Sequence, residues 1–399
     1  MTQEGRISVH EVYLDNNSTT KLLPEVCEAV IAAAQGDASN PSSSQPSGDR
    51  ARAVLRDSRA ALAELIGCDP GSLYFTSGGT EANSWVLQAL ARREVATANR
   101  ILTSPIEHAS ILRTCDALAD IGVTVDLLPA DVCGRVNVVD LAASLQRPTT
   151  LVSIQWANNE TGVVQPIQAI AEECRRRGVL FHTDAAQAVG KLPIDLHELP
   201  ADFLTLTAHK WHGPAGVGAL YVRSPRRFGP LFFGGGQEAG LRPGTENILG
   251  IAGMGCAARL RSARLAEVSA AMQRLRDEFE QQLLQRIPSA VINGGGADRI
   301  CNTSNVLFAG IDGEAMVAQL GLEGISCSQG SACESMRPEP SRVLRAMGLS
   351  EEDAYASIRF SFSELNSNLD VDVAVETIGR VHELIAARSR SLARQRSEV

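Results

Sequence analysis

The chain has 399 residues, 44% of them hydrophobic and 21% charged, which is ordinary for a globular enzyme and long enough for two domains. Its formal net charge of −9 at pH 7 argues against nucleic-acid binding through the whole surface. Nine irregularly spaced cysteines suit a reducing cytoplasm better than a disulfide framework, and the absence of a long apolar run predicts no membrane span and no signal peptide.

The N-terminal part of the chain predicts helices separated by short strands. Hydrophobic periodicity and turn residues place strands at 9–14 and 73–76, and helices at 24–34, 49–66 and 77–93. Residues 38–48 are small, polar and interrupted by proline, so we expect a loop there.

A glycine pair follows the predicted strand at 73–76 and opens the next helix. Gly78 and Gly79 allow close approach of the backbone, and Thr80 offers a hydroxyl at a helix N-terminus, so the segment could bind a phosphate group. Such a sequence more often only caps a helix. It also has neither the lysine of a Walker loop nor the spacing of a dinucleotide fingerprint.

Two further strand ends carry polar side chains. His108 follows the predicted strand at 100–103, where it could stack on a flat ring or move protons, or could be a capping or core histidine. Asn159 follows the predicted strand at 152–155, between another asparagine and a glutamate. These groups could bond a phenolic or carboxylate oxygen, or could form an Asx-turn.

Asp184 and Lys210 stand at the ends of two predicted neighbouring strands, 178–184 and 203–207. Desolvation at the end of a buried strand favours the neutral amine that can form a Schiff base. A carboxylate nearby can pair with a pyridinium nitrogen, and ligands of α/β sheets bind beyond the carboxyl ends of the strands. Together the two residues predict a pyridoxal phosphate site, although each alone has a plainer explanation as a loop lysine and a helix N-cap.

The pattern of the chain changes after its middle. Residues 70–223 alternate strand and helix, which predicts a largely parallel sheet covered on both faces. A glycine-rich loop at 233–245 and a long helix at 249–286 follow. Short strands and helices beyond residue 290 predict a smaller α+β domain that the N-terminal strand completes.

A loop-like segment at 325–341 carries Cys327 and Cys333. A thiol on a flexible loop suits a mobile nucleophile, whereas an incidental cysteine is the plainer explanation for the other cysteines. No nearby histidine or second cysteine pair completes a zinc set, so we expect no metal site.

The sequence resembles the cysteine desulfurases of the NifS/IscS class, which are pyridoxal phosphate enzymes of the class-V aminotransferase family. The resemblance covers nearly the whole chain. Its motifs are, in order, YLDNNSTT from Tyr13, FTSGGTEAN from Phe75, EHASIL from Glu107, ANNETGVVQPI from Ala157, FHTDAAQAVGKLPIDL from Phe181, TAHKWHGPAGVGALYVR from Thr207, RPGTEN from Arg242, GSAC from Gly330 and SIRFSF from Ser357.

The resemblance implies a role for each matching residue. Lys210 would hold the cofactor as a Schiff base, Asp184 would pair with the pyridinium nitrogen, and Gln187 would bond the phenolic oxygen. His108 would stack on the ring and help to move protons, and Cys333 would be the nucleophile.

The remaining implied roles concern the cofactor phosphate and the substrate carboxylate. The phosphate would be held by Gly79, Thr80, Thr207 and His209, and by Thr245 acting across a homodimer interface. Asn159, which also borders the cofactor, and Arg359 would bind the carboxylate of L-cysteine.

The fold implied is α/β and aminotransferase-like, with a mainly parallel seven-stranded sheet in a large domain and a smaller α+β domain. We expect the large domain at 16–262, and the small one at 1–15 and 263–399 with the loop at about 325–341. The implied reaction converts L-cysteine to L-alanine and passes sulfur through a Cys333 persulfide to an acceptor. That acceptor would be a partner such as an iron–sulfur scaffold or a tRNA-thiolation relay, with no direct nucleic-acid contact and no membrane involved.

The chain departs from the usual family pattern at Gln45, Ala215, Ala239 and Gln329, which bear on the choice of acceptor. Selenocysteine lyase, another class-V aminotransferase activity and a non-catalytic sulfur-transfer scaffold stay open as alternatives. A nicotinamide dehydrogenase is disfavoured because no G-x-G-x-x-G follows the first strand.

Overall fold

The computed structural model describes residues 11–36, 39–93, 99–225, 228–330 and 340–397. The predicted nucleophile Cys333 lies outside the described residues. The chain forms two compact units. The larger comprises Thr19–Asn159 and Val163–Glu267, and the smaller comprises the described residues of Met1–Ser18, Glu160–Gly162 and Val268–Val399.

A seven-stranded sheet forms the centre of the larger unit. Its strands are β2 (Leu73–Thr76), β3 (Arg100–Thr103), β4 (Thr124–Leu127), β5 (Leu151–Ser153), β6 (Leu180–Asp184), β7 (Phe203–Thr207) and β8 (Gly218–Val222), in the spatial order β2-β8-β7-β6-β5-β3-β4. The pairs from β7 to β4 are parallel, and β8 runs antiparallel to both of its neighbours. This arrangement confirms the predicted α/β class with a mostly parallel sheet.

Helices connect successive strands of this sheet from β2 to β6, and others lie before β2 and after β8. They are α1 (Pro24–Gln35), α2 (Pro46–Ile66), α3 (Gly79–Arg93), α4 (Ala109–Ala119), α5 (Val138–Ser144), α6 (Ile167–Arg177) and the beginning of α7 (Ile248–Arg286). The apolar face of α3 packs on the sheet, where Trp85 meets Phe228 at 5.0 Å between ring centroids and Phe228 meets Phe203 at 5.1 Å. Burial of these aromatic rings fixes α3, and with it the glycine pair at its start.

The parallel pairing of β6 with β7 controls the position of the predicted site. Asp184 is the last residue of β6 and stands opposite Thr205 of β7, while Lys210 ends the short 3-10 helix Ala208–Lys210 that follows β7 directly. Both strands are buried almost throughout; β7 consists of apolar and β-branched side chains, whereas β6 also buries His182 and Asp184. The prediction that these strands are neighbours is confirmed.

The smaller unit contains two short sheets and the remaining helices. Strand β1 (Val12–Tyr13) pairs in parallel with β11 (Ile325–Ser326), and β9 (Val291–Ile292), β10 (Thr303–Leu307) and β12 (Ser357–Ser361) form an antiparallel sheet in the order β12-β10-β9. The helices are the end of α7, α8 (Gly313–Leu322), α9 (Arg342–Ala346), α10 (Glu351–Tyr355) and α11 (Asn368–Ser397). Phe279 anchors the core, with ring centroids 5.0 Å from Phe360 and 5.4 Å from Phe362.

The structure differs from the sequence prediction mainly at element boundaries. Helix α2 begins at Pro46 rather than at residue 49, since proline at the first helical position needs no hydrogen-bond acceptor and already has a helical φ. Strand β8 was not predicted; it lies in the motif that follows Lys210 and is buried along its whole length. Among the helices that the structure describes, none combines the length and apolar character needed to span a membrane.

Candidate active site

The predicted site residues of the larger unit collect at one edge of its sheet. The carboxyl ends of β2, β3, β5, β6 and β7 lie at this edge because these strands run in the same direction. The residues that follow these ends are Gly79 and Thr80 after β2, His108 after β3, Asn159 after β5, Gln187 after β6, and His209 and Lys210 after β7, while Asp184 and Thr207 are the last residues of their own strands. This is the edge at which α/β sheets bind ligands.

The turn between β2 and α3 brings backbone close to backbone. A Cβ atom on Gly218 would lie 2.8 Å from the Gly78 Cα atom, so the two backbone segments can pass only because Gly218 has no side chain. Gly78 has a φ of +151°, which favours glycine there for its conformation. The Glu81 side chain accepts the N–H of Ser77 at 2.9 Å and fixes the first turn. The N–H groups at the start of α3 therefore form an anion site beside Thr80 and Thr207.

The Asp184 carboxylate is buried and held in a fixed orientation. One oxygen accepts the backbone N–H of Ala186 at 2.9 Å, and the other accepts the side-chain amide of Asn83 at 2.7 Å. The two donors hold the carboxylate in one orientation. A buried, oriented carboxylate at this edge is suited to pairing with a protonated heterocyclic nitrogen.

A hydrogen-bond network connects His108 with Asp184. The Asn83 amide also donates to the Ser110 hydroxyl at 2.9 Å, and that hydroxyl lies 2.8 Å from Nδ1 of His108. Nδ1 also accepts the backbone N–H of Ser110, as the N-cap of α4. Because Nδ1 is an acceptor there, a neutral His108 ring carries its proton on Nε2.

His209 is a neutral neighbour of Lys210. Burial lowers the pKa of His209, and the charges of Lys210 and Lys191 act in the same direction, so that together they bring it to about 4. Its backbone carbonyl accepts two bonds from Thr20, and its Nδ1 lies 3.2 Å from the Thr19 hydroxyl. At neutral pH the imidazole thus adds a hydrogen-bonding group to this edge without adding a charge.

Gln187 and Lys191 form a buried pair after β6. The ammonium of Lys191 donates to the side-chain oxygen of Gln187 at 2.6 Å. Lys191 belongs to a motif that the sequence analysis quoted, but no local pattern distinguished it from a surface lysine. Its burial depends on contacts that only the folded chain makes.

Glu107 is a second residue that the sequence analysis did not select, although it directly precedes His108. Its carboxyl group accepts the Ser104 hydroxyl at 2.5 Å and the backbone N–H of Gln155 at 2.9 Å. Burial raises the pKa of Glu107 to about 8, despite these hydrogen bonds, and the charge of Asp184 acts in the same direction. The group connects the residues after β3 with the residues after β5.

Two predicted residues belong to parts of the chain other than these strand ends. Arg359 lies on β12 in the smaller unit, is 2% exposed, and donates to Asp15 at 2.6 Å and to the Ser18 hydroxyl at 2.7 Å. Thr245 is exposed in the loop before α7.

The residues present fit a phosphorylated pyridine. The glycine turn at the start of α3 offers an anion site that a Cβ on Gly218 would disrupt, and the buried Asp184 carboxylate offers a partner for a pyridinium nitrogen. Lys210 supplies a primary amine within the same set of strand ends.

Comparisons with known proteins agree with this chemistry. The family model described as aminotransferase class-V matches residues 12–373. A cysteine desulfurase of Cereibacter sphaeroides is 43% identical over 383 residues, which cover 96% of this chain and 98% of the relative. One of Trichormus azollae is 42% identical over 380 residues, covering 95% and 94%.

Solved structures show the same likeness. A structure described as a NifS-like protein superposes with a TM-score of 0.88 at 33% identity, and the match covers 94% of this chain and all of that one. A NifS-like protein from Rickettsia africae gives a TM-score of 0.86 at 32% identity, again over 94% of this chain.

Proposed function

The chain belongs to the class-V aminotransferase family, and we propose that it works as a cysteine desulfurase that uses pyridoxal phosphate, taking sulfur from L-cysteine and leaving L-alanine. The observation that carries the proposal is the pairing of β6 with β7, which puts the buried carboxylate of Asp184 and the amine of Lys210 at one edge of the sheet.

Lys210, Asp184 and Gln187 would hold the ring of the cofactor, and His108 would lie against it. Gly79, Thr80, Thr207 and His209 would hold its phosphate. When bound, pyridoxal phosphate supplies an electron sink that lets bonds to the substrate α- and β-carbons be broken. Asp184 keeps that sink effective because its ionised carboxylate favours a protonated ring nitrogen.

The protein's own groups control the protons and the substrate. Lys210 provides the amine for Schiff-base formation and afterwards a base beside the substrate. A neutral His108 ring carries its proton on Nε2, because Nδ1 accepts the backbone N–H of Ser110, and that proton is the one the ring could donate. Asn159 and Arg359 would bind the substrate carboxylate, since a guanidinium presents two parallel donors to a carboxylate.

Sulfur transfer needs a nucleophile, and we assign it to Cys333. Its thiolate attacks the substrate sulfur, so that a sulfur–sulfur bond forms while the carbon–sulfur bond breaks. The electron pair of the broken bond stays with the substrate carbon, which takes up a proton and leaves as L-alanine. L-cysteine and a thiol thus give L-alanine and a persulfide without any added oxidant, and the persulfide can be passed on.

We also propose a homodimer in which Thr245 contacts the phosphate bound by its partner, which is supported by the exposure of Thr245 on the single chain. The larger domain would be the cofactor domain at 16–262. The acceptor would be a thiol protein such as an iron–sulfur scaffold. A reducing cytoplasm would suit this chemistry, since the eight cysteines among the described residues are free thiols.

The test measures alanine and sulfide released from L-cysteine by the cofactor-loaded protein in the presence of a thiol reductant. We expect equal amounts from the wild type and loss of both from Cys333→Ala, with the yellow cofactor still bound. The matched control is Cys133→Ala, a partly exposed cysteine of the larger unit, which should behave as the wild type does. Absence of alanine and sulfide from a yellow wild-type protein would refute desulfuration. Pyruvate with ammonia in place of alanine would indicate β-elimination, and 3-mercaptopyruvate would indicate transamination.

A further inference from the structure

Lys191 is a buried cation to which the proposed function gives no role. The side chain is only 5% exposed, and its ammonium lies 2.6 Å from the side-chain oxygen of Gln187. Removing an ammonium group from water is costly, so a lysine is buried only where the fold supplies acceptors for it. The burial of Lys191 beside a proposed cofactor ligand therefore calls for a specific reason.

The composition of the chain makes a buried lysine at position 191 unusual. Three of the 37 basic Lys and Arg residues are lysine, namely Lys21, Lys191 and Lys210. Lys21 is exposed, and Lys210 is the proposed Schiff-base amine. In a chain that otherwise uses arginine for its positive charges, Lys191 is thus the second lysine at the candidate site. Lysine is a compact donor, whereas the planar guanidinium of arginine needs more room.

The backbone of the segment after β6 places Lys191 beside Gln187. Val189 donates to the carbonyl of Ala185 and Leu192 to that of Ala188, at 2.9 Å each, so the segment after β6 forms consecutive turns. Gly190 has a φ of +76°, which only glycine adopts readily, and the resulting turn brings the Lys191 ammonium to Gln187.

We propose that Lys191 is a positioning residue that holds the Gln187 oxygen, so that the amide N–H groups of Gln187 face the phenolic oxygen of the cofactor. The inference rests on the proposed function. An ammonium can donate but cannot accept, so the Gln187 atom that faces it is the oxygen. The nitrogen must then point the other way, and a glutamine that could flip would present an oxygen to the phenolic oxygen for part of the time.

The charge of Lys191 also acts on other groups of the candidate site. It lowers the pKa of His209, together with burial and Lys210. Other charged and titratable groups at this edge of the sheet are Asp184 at the end of β6, Glu107 and His108 before α4, and His209 and Lys210 after β7. Lys191 adds a positive charge to this set.

These two effects act in the same direction on the bound cofactor. A donor and a cation near the phenolic oxygen disperse its negative charge, so the adjacent Schiff-base nitrogen holds its proton less tightly. Removal of Lys191 should raise the pKa of that nitrogen by about one unit or more. The visible absorbance band of the lysine-bound cofactor reports this proton, and needs no turnover.

The experiment titrates that absorbance with pH in the wild type, Lys191→Met and Lys191→Arg. We expect a raised pKa in Lys191→Met and a value between those of Lys191→Met and the wild type in Lys191→Arg, because arginine keeps the charge and the donors but is larger than the buried lysine. In a Gln187→Leu background the further change to Lys191→Met should shift the pKa by less, since only the effect of the charge remains when there is no amide to orient.

A control variant separates this role from simple support of the fold. Arg100→Met removes another buried cation of the larger unit, one that pairs with Asp126 on the neighbouring strand, and should lower the melting temperature without moving the absorbance pKa. If Lys191→Met lowers the melting temperature and leaves the pKa unchanged, the inference is wrong. If Lys191→Met does not fold, Lys191→Gln is measured in its place. A wild type that forms no lysine-bound chromophore overturns the proposed function itself.

Discussion

Asn83 donates its side-chain amide to the Asp184 carboxylate at 2.7 Å, from the second turn of α3 to the end of β6. The same amide nitrogen donates to the Ser110 hydroxyl at 2.9 Å, which contacts the His108 ring. One buried asparagine thus sets the direction of the carboxylate proposed to face the ring nitrogen and, through Ser110, supports the histidine proposed to lie against the same ring.

Replacement of Asn83 by alanine should weaken cofactor binding more than it weakens the fold. The change leaves one Asp184 oxygen without its donor, which costs about 1–3 kcal/mol for a buried group. We expect the dissociation constant of pyridoxal phosphate to rise by roughly tenfold, measured by reconstitution of the apoprotein and absorbance.

Ser84→Ala is the control for the Asn83 variant. Ser84 is the next residue on α3, and its hydroxyl contacts Thr114 rather than the carboxylate. Its loss should leave the dissociation constant within about twofold of the wild-type value. Equal cofactor affinity in Asn83→Ala and the wild type would show that Asp184 does not depend on this amide.

Glu107 should give the protein an unusual dependence of stability on pH. Its pKa is raised from 4.5 to about 8 in the folded protein, chiefly by burial. Between these pH values the folded chain keeps a proton that the unfolded chain releases, so Glu107 makes the free energy of unfolding fall as pH rises. The slope reaches at most about 1.4 kcal/mol per pH unit. Glu107→Gln keeps the shape without the ionisable group, so its stability relative to the wild type should increase from pH 5 to pH 8.

Chemical denaturation at several pH values measures this difference. His182 and His209, whose pKa values are lowered to about 4, make stability rise with pH in the acid range, and comparison with the variant cancels them. For Glu198→Gln, at an exposed carboxyl of the same unit, the free energy of unfolding should change with pH as it does in the wild type. If Glu107→Gln also shows the same pH dependence as the wild type, the Glu107 carboxyl is ionised in the folded protein and the prediction is wrong.

The sequence predicts features of the fold and the site that depend on neighbouring residues, and it does not predict contacts between residues far apart in the chain. The strand at Phe203–Thr207 has a local signal, and the neighbouring strands of Asp184 and Lys210 follow from the alternation of strands and helices. The bond between Asn83 and Asp184 joins residues 101 positions apart, and no local pattern encodes it.

The sequence analysis also did not predict the burial of Glu107 and Lys191 or the presence of strand β8, because these too depend on distant parts of the chain. Glu107 and Lys191 lie in motifs that mark the family, yet a charged residue in a loop is usually solvated. Only the packing of β3, β5 and the segment after β6 shows that both are buried. Strand β8 was missed because its five residues follow a turn rich in glycine and proline, and its antiparallel direction depends on pairing with β2 and β7.

Arg359 should act on the binding of L-cysteine rather than on later steps. Its guanidinium is held by Asp15 at 2.6 Å and Ser18 at 2.7 Å, and its backbone is paired with that of Ser328. These contacts fix the plane of the group, as bidentate recognition of a carboxylate requires. Arg359→Lys keeps the charge but loses the planar fork, so we expect KM for L-cysteine to rise about tenfold or more with a smaller change in kcat.

A substitution at Asp15 tests how far the ion pair that orients Arg359 contributes to substrate binding. Asp15→Asn retains a hydrogen-bond acceptor for Arg359 but removes the ion pair, so KM should rise less than in Arg359→Lys. Arg380→Lys, at an exposed arginine of the same unit paired with Glu323, is the control and should leave both constants unchanged. A fall in kcat at constant KM in Arg359→Lys would instead assign this arginine to a step after substrate binding, because uniform binding interactions change KM alone.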